Sequence, residues 1–506
     1  MSTSLTEHHD VIVIGSGFGG AVVATRLVEA GARVTLLERG PWRDTAPVRA
    51  AGVADPSPLP TRWGSVRHLV RNVSSGTGPV RAARLDARGL YDVHYDRDLS
   101  VVCSSGVGGG SHVYTAMLTR PARNDYWDGH DDRVTPAGME EHYAWFGERF
   151  ASRPVRPADG VPSWPPVHPE DRDLFDQHGV EQPAMAYRFG VGSYRNNTFT
   201  GSADGAKRTL DTELVVPAME RGLTVRSLHE VLEVSTGPRG YRLTVRDHGR
   251  GRLLTLEARQ VVLAAGALNT LRLLLGSRAS GGLDGMPSLG HHLGGNGDHM
   301  AWWLQHRDGV DYTAGTPSHG RVRPLGWGEE PFMMRLGLNG ADDLRLPRRV
   351  RAFLRGNPLL VGMGRDRATG AAEWHRGRLR IRYDHAANPV LALMADTCDE
   401  LARASRRRVL QLPRGRGLTV HLHGGARVGA DAGRGVVDWR GQVHGHPGLY
   451  VADAAALPGA VGTPPSLTIA AWASHVGAEL AAQRVSTSTP VARSPHSTTK
   501  TAWSAR

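Results

Sequence analysis

Asp10-Val-Ile-Val-Ile-Gly15-Ser-Gly-Phe-Gly-Gly20 sets a short, unbroken apolar run directly against a glycine-rich turn. The run Asp10–Ile14 has the pattern of a strand buried on both faces. Ala21-Val-Val-Ala-Thr-Arg-Leu-Val-Glu-Ala30 then reads as a helix ended by Gly31, and Arg33-Val-Thr-Leu-Leu-Glu38 as a second strand. Together they make a βαβ unit, whose parallel strands require a right-handed crossover. In that setting the glycines form a dinucleotide-binding turn, with Phe18 and Gly19 inside it. Gly15 is expected to allow the tight turn, Gly17 to let the backbone approach a pyrophosphate, and Gly20 to pack helix against strand. The helix start offers free N–H groups to phosphates. Glu38, closing the second strand, is expected to accept hydrogen bonds from ribose hydroxyls.

The same pattern returns further along. Gln260-Val-Val-Leu-Ala-Ala-Gly266 followed by a Leu-rich run to Leu275 is again strand, glycine turn and helix, and Leu449-Tyr-Val-Ala-Asp453 is a further strand. A second glycine cluster stands at Gly106-Val-Gly-Gly-Gly-Ser111, and Thr224–Glu257 alternates as strands do. The fold class expected is α/β: a discontinuous Rossmann-like nucleotide domain with an α+β substrate domain built on an antiparallel sheet. The nucleotide domain is assigned 1–41, 88–120, 206–302 and 440–484, and the substrate domain 42–87, 121–205 and 303–439. Helical patches are expected at Met139–Phe150 and Leu401–Leu410, and the Ser- and Thr-rich 485–506 as a disordered tail.

The 506 residues carry a net charge of +12, and only Lys207 and Lys500 are lysine, leaving 59 of the 61 basic residues as arginine. Such a balance suits an anionic partner, but the chain has no nucleic-acid recognition motif, and a bias toward arginine on solvated faces accounts for it. Two cysteines, Cys103 and Cys398, make neither a disulfide framework nor a zinc site. The start has no signal-peptide pattern and no stretch reaches the length of a membrane span, so a cytoplasmic protein is expected.

Four further stretches carry a family resemblance: Tyr95–Ser111, Gly295-Asn-Gly-Asp-His-Met300, His421-Leu-His-Gly-Gly425, and Gly448–Asp453 continuing to Leu457-Pro-Gly-Ala-Val-Gly462. In this order they resemble the GMC (glucose–methanol–choline) oxidoreductases, on the cholesterol-oxidase-like branch. The resemblance covers most of the chain and is loose over 42–90 and much of 303–400. It implies FAD rather than NAD. It further implies that Gly109, Gly110 and Ser111 line the flavin with Met117 just beyond, that Val231 meets the adenine end through its backbone, and that Asp453 holds the ribityl–pyrophosphate region. Gly266 belongs with this cofactor set, and covalent attachment through His112 is a chemical option.

On the reacting side, alcohol oxidation needs a hydride acceptor and a group that takes the hydroxyl proton, and histidine suits the second task. The resemblance places that base at His421. His423, two residues on, would share its face in an extended segment and is a second candidate. A metal cluster of His421 and His423 with His444 and His446 is set aside, because His446 occupies a turn before Pro-Gly-Leu-Tyr450, and no metal site is expected. The family usually offers Asn or His where this chain has Pro464, and proline has no polar side chain and no N–H. Ser466, Thr463, His299 or Tyr114 are the candidate replacements. Pro465 suits the first position of a final helix, about Pro465–Leu480, whose N-terminus would face the flavin ring. The activity expected is therefore hydride removal from a CH–OH group of a sizeable apolar or metabolite alcohol, with O2 or another electron acceptor. The alternatives are a lyase or isomerase in which FAD is not reduced, and a non-catalytic relic presenting the basic stretches Arg345–Arg355 and Arg403–Arg416.

Overall fold

The computed structural model describes residues 6–61, 63–78, 82–161, 183–192, 199–305, 311–322, 331–338 and 346–488. Its central sheet runs in the order Thr224–Arg226, Val34–Leu37, Glu7–Ile14, Arg252–Leu263, Gly240–Asp247, His229–Gly237. Val11, Ile12 and Val13 are fully buried, as strands covered on both faces must be. Glu7–Ile14 pairs in parallel with Val34–Leu37 and with Arg252–Leu263, so that Ile14, Leu37 and Leu263 end level with one another. Leu449–Val451 joins in parallel beside Val261–Leu263. The first half of Arg252–Leu263 also carries the antiparallel strands Gly240–Asp247 and His229–Gly237. All the level ends are carboxyl ends, and a ligand crevice forms outside them in folds of this kind.

Helix Gly20–Glu29 and helix Pro136–Phe150 pack against the closing helix Ser466–Ser488. The approach is close: a Cβ on Gly477 would stand 2.9 Å from Arg26 Cβ. Trp472 on the closing helix is fully buried and donates its Nε1–H to the Val451 carbonyl at 3.2 Å. A second, fully antiparallel sheet runs Ser318–Val322, Phe332–Leu336, Leu359–Met363, His299–Trp303, Val409–Gln411. Helix Pro389–Ser405 covers one face of it, where Ala301, Trp303, Leu360, Cys398 and Leu401 are buried together. The other face carries Met300, Met334, Leu336, Leu359 and Val361.

Several expectations shift. His299–Trp303 lies mostly inside the stretch assigned to the nucleotide domain, yet it pairs on both sides within the antiparallel sheet. Val70–Ser75, from the first expected excursion, shares a sheet with Tyr91–Tyr95 and Leu99–Ser104. The helix expected over Leu401–Leu410 is Pro389–Ser405, and Val409–Gln411 is a strand. Arg406 adopts φ 54° and ends the helix in a left-handed turn. The closing helix runs on through 485–488, and 489–506 lie outside the described residues.

Candidate active site

A cavity of about 410 Å³ opens at the carboxyl ends of the central sheet and reaches the inner face of the antiparallel sheet. Its floor is glycine, and the glycines divide by cause. Gly15 has φ +95°, and a Cβ there would stand 2.4 Å from the Ala264 carbonyl oxygen. At Gly19 the obstacle is the Ala452 oxygen at 2.3 Å, and at Gly20 the Gly15 oxygen at 1.8 Å. These three are glycine because the protein packs against them. Gly17 is not: the nearest neighbour of an added Cβ is Gly109 Cα, 4.0 Å away. Gly110 is equally open, and nothing stands within 4 Å of a Cβ on Gly266. All three face the cavity. They make a backbone cradle that side chains would fill, which fits a dinucleotide whose pyrophosphate approaches the main chain. Gly20 serves packing and does not line the cavity, whereas Phe18, Met117 and Val231 do.

Acidic side chains fix this end. The buried Glu38 accepts hydrogen bonds at Oε2 from Ser16 N (3.1 Å) and Oγ (2.7 Å). At Oε1 it accepts from Gly40 N (2.9 Å) and Gly106 N (3.2 Å). It thus ties the first glycine turn to the second while lining the cavity. Asp453 is buried and accepts from Thr270 Oγ1 (2.5 Å), Gly266 N (2.9 Å) and Ala455 N (2.8 Å). Burial raises its carboxyl to about 6, against the lowering effect of those three donors.

The 3₁₀ turn Gly109–His112 corrects two expectations. Gly109 and Gly110 line the cavity, and the two residues after them do not. Ser111 donates to the Gly108 carbonyl (2.7 Å) and accepts from Leu210 N (2.9 Å), outside the cavity wall. His112 is fully buried with Nε2 2.6 Å from the Val107 carbonyl, which leaves it no path to covalent attachment. Lys207 holds the turn from behind, donating Nζ to the carbonyls of His112 (2.7 Å) and Tyr114 (3.0 Å). Burial lowers its pKa well below the usual lysine value. Sequence reasoning missed it, although a lysine in so arginine-rich a chain was itself a signal.

His421 stands in the cavity wall at the opposite end. Its Nδ1 lies 2.8 Å from Asp298 Oδ1, and the Asp298 side chain is 1% exposed. Asp298 Oδ2 accepts from Thr419 Oγ1 (2.8 Å) and Val420 N (3.0 Å). An imidazole held by a carboxylate at Nδ1 keeps its proton there and presents Nε2 as acceptor. Asp298 belongs to the Gly295–Met300 stretch but was not singled out by sequence reasoning. Its neighbour Asn296 accepts from Gly462 N (2.9 Å) and donates to the Thr463 carbonyl (3.0 Å), clamping the Pro464 loop beside it.

The other reacting candidates have partners within the protein. His423 also reaches the cavity wall, at the start of the two-residue strand His423–Gly424. Its ring packs under Gly294 with Nε2 3.7 Å from Asp366 Oδ1. Ser466 directs its hydroxyl to the Met117 carbonyl (3.3 Å), Thr463 to the Arg120 carbonyl (2.7 Å) and Tyr114 to the Arg208 carbonyl (2.7 Å). His299 bonds Gln411 (2.9 Å) and does not line this cavity. Pro464 does line it, and so do Pro465 and Ser466 at the start of the closing helix. The Pro465 carbonyl accepts from Ile469 N (2.9 Å), so the proline caps the helix one residue before the position expected. No group of three or more metal-ligating side chains is present among the described residues.

Two family models, both described as GMC oxidoreductase, match residues 9–295 and 367–473. A cholesterol oxidase of Mycobacterium tuberculosis is 26% identical, covering 92% of this chain and 90% of its own. A 6'''-hydroxyparomomycin C oxidase of Streptomyces lividus is 25% identical, covering 94% and 93%. Among solved structures, a pyridoxine 4-oxidase from Mesorbium loti superposes with a TM-score of 0.60 at 19% identity, covering 93% of this chain and 99% of that one.

Proposed function

The chain belongs to the GMC oxidoreductase family, and from that premise we propose that it is an FAD-dependent alcohol oxidoreductase with His421 as its base. The observation that carries the reading is the His421–Asp298 pair in the wall of a cavity whose far end is the glycine cradle. Gly17, Gly110, Gly266, Glu38 and Asp453 would hold the cofactor. Bound FAD supplies the acceptor for the hydride that leaves the alcohol carbon. His421 Nε2 accepts the hydroxyl proton as that hydride departs, so the alcohol loses one proton and one hydride and becomes a carbonyl. Asp298 stabilises the imidazolium that results and fixes the ring's orientation. The N-terminus of the closing helix adds positive potential to the same wall.

The substrate we propose is a sizeable, largely apolar alcohol. Met300, Met334, Leu336, Leu359 and Val361 line the cavity from the antiparallel sheet, and such a wall orients an apolar body and excludes water from the reacting end. That wall suits the sterol named by one relative better than the aminoglycoside named by another. Anaerobic mixing of the holoenzyme with the true alcohol bleaches the oxidised-flavin absorbance. Persistent colour during turnover refutes the reading.

The lack of a second side-chain donor at Pro464 favours one competitor, a lyase or isomerase in which the flavin only shapes the pocket. Turnover by protein reconstituted with a flavin analogue unable to accept hydride would establish that competitor.

A further inference from the structure

The antiparallel sheet carries the cavity wall outward to a lip that the reaction itself does not explain. Its inner face has two rows of cross-strand neighbours. The row nearest the base is Met334, Val361 and Met300; the outer row is Leu336, Leu359, Trp302 and Leu410. Directly paired residues share a face, so Trp302 and Leu410 extend the apolar surface past Leu336 and Leu359 to the outside. Leu410 is 43% exposed there. Trp302 packs its ring on Phe353 at 5.0 Å, and its Nε1–H is buried without an acceptor.

The lip is cationic. Phe353 belongs to helix Arg348–Gly356, which ends just before Leu359. Arg348, Arg349 and Arg351 on this helix have no carboxylate partner among the described residues. Arg355 lies 3.7 Å from Asp311. Exposed Arg408 is at the same end of the sheet, where its carbonyl accepts from Leu304 N (2.8 Å). Two separate elements therefore bring guanidiniums with no carboxylate partner among the described residues to the end of the sheet that this apolar face reaches, and guanidinium is the side chain suited to carboxylate, sulfate and phosphate. The distance is set by the strand. His299–Trp303 starts immediately after Asp298, and four residue steps at about 3.4 Å place the lip roughly 14 Å from the dyad.

We propose that the alcohol this cavity takes is an elongated apolar molecule bearing an anionic group roughly 14 Å from its reacting hydroxyl, with the lip arginines binding that anion. This rests on the reading of the cavity as an alcohol site and adds the substrate's class and length.

The test uses ω-hydroxy fatty acids of graded chain length and their methyl esters. Their binding to the holoenzyme is titrated through perturbation of the flavin spectrum. The acid is expected to bind about tenfold more tightly than its ester once the chain spans the strand, with the preference falling as salt rises. In the triple variant R348E/R349E/R351E the preference vanishes, while ester binding and flavin reduction by neutral alcohols stay as in the parent. Equal binding of acid and ester by the parent overturns the proposal. So does a preference that survives the triple variant. Arginine-dependent pelleting with anionic phosphatidylserine vesicles, without any acid-over-ester preference, assigns the lip to a membrane surface and overturns it as well. If the acids bind with the expected preference but no alcohol reduces the flavin, the anion site stands and the oxidoreductase reading falls.

Discussion

Asp298→Asn is the substitution that most directly tests how His421 works, because its consequence follows from which atoms face Asp298. Oδ1 faces His421 Nδ1 at 2.8 Å, and Oδ2 faces the Val420 N–H at 3.0 Å and the Thr419 hydroxyl at 2.8 Å. Thr419 also has the Gly295 carbonyl as an acceptor at 3.0 Å, so its hydroxyl can turn away, but the Val420 N–H is a fixed donor. An asparagine here must give its single oxygen to Val420 and its NH2 to His421. The imidazole then accepts at Nδ1 and carries its proton on Nε2, which removes the lone pair that would take the substrate's proton in the proposed reaction. Loss of the charge alone, a charge-assisted bond becoming a neutral one, costs about 1–2 kcal/mol, or roughly 5–30-fold in rate. The wrong tautomer costs far more, on the order of 10⁴-fold for the corresponding aspartate-to-asparagine change in the serine-protease triad.

The expected outcome is a drop of about a thousandfold in the rate of flavin reduction, measured by anaerobic rapid mixing. FAD content should stay at parental level, because the cradle lies at the other end of the cavity. Ring-nitrogen NMR of His421 should show the proton moved from Nδ1 to Nε2. Reduction within about fivefold of the parent would refute the dyad as the source of the base's orientation. The same rate loss with an unchanged tautomer would place the effect elsewhere in the loop.

The remaining expectations concern the cradle and the frame. Gly17→Ala should leave the melting temperature of the FAD-free protein unchanged while weakening FAD binding at least tenfold, whereas Gly20→Ala should destabilise the FAD-free protein itself; thermal melts with and without FAD separate the two. Lys207→Arg forces a larger head into a filled site and should cost about 1–3 kcal/mol, with FAD retention falling alongside, as read by denaturant titration and flavin absorbance. His142 is pushed down to about 3, mainly by burial and further by His475 and Arg26, from an ordinary value of 6.5. A base whose folded value is depressed leaves the unfolded chain binding the extra proton. Its contribution is therefore fully present above about pH 6.5 and is lost as pH falls below that. The parent's melting temperature should then fall more steeply than that of His142→Asn between pH 6.5 and 5.

How much of this was legible in the sequence follows from the range over which each feature is determined. The glycine turn was readable because strand, turn and helix are local, and Gly20 meets the Gly15 carbonyl five residues back, although Gly15 itself meets Ala264 on another strand. The level ends of Ile14, Leu37 and Leu263 follow from apolar runs that have nowhere else to go. Side-chain direction within the site was not local. The resemblance places Ser111 with Gly109 and Gly110, but a 3₁₀ turn rotates adjacent side chains apart and Ser111 leaves the cavity wall. His423 reaches the cavity wall together with His421, but its Nε2 lies 3.7 Å from Asp366, a partner that strand periodicity does not show.

Asp298 shows the other kind of limit. It lies 123 positions from His421, and what joins them is the short antiparallel pairing of Leu293–Gly294 with His423–Gly424. Two residues a side is too little pattern to predict from sequence. Yet that pairing sets the whole reacting edge, since the loops leaving it carry Asp298 on one side and His421 on the other. Ser466, Thr463, Tyr114 and His299, the candidates for the missing donor at Pro464, each have a hydrogen-bond partner of their own. The compensation is of a different kind from a substituted donor. In the proposed reaction, proline at 464 leaves the positioning of the alcohol's oxygen to one histidine, and a single base is adequate only if its tautomer and ring angle are fixed. A buried carboxylate at Nδ1 fixes both, which is why the Asp298 variant and not a Ser466 variant should carry the large rate effect.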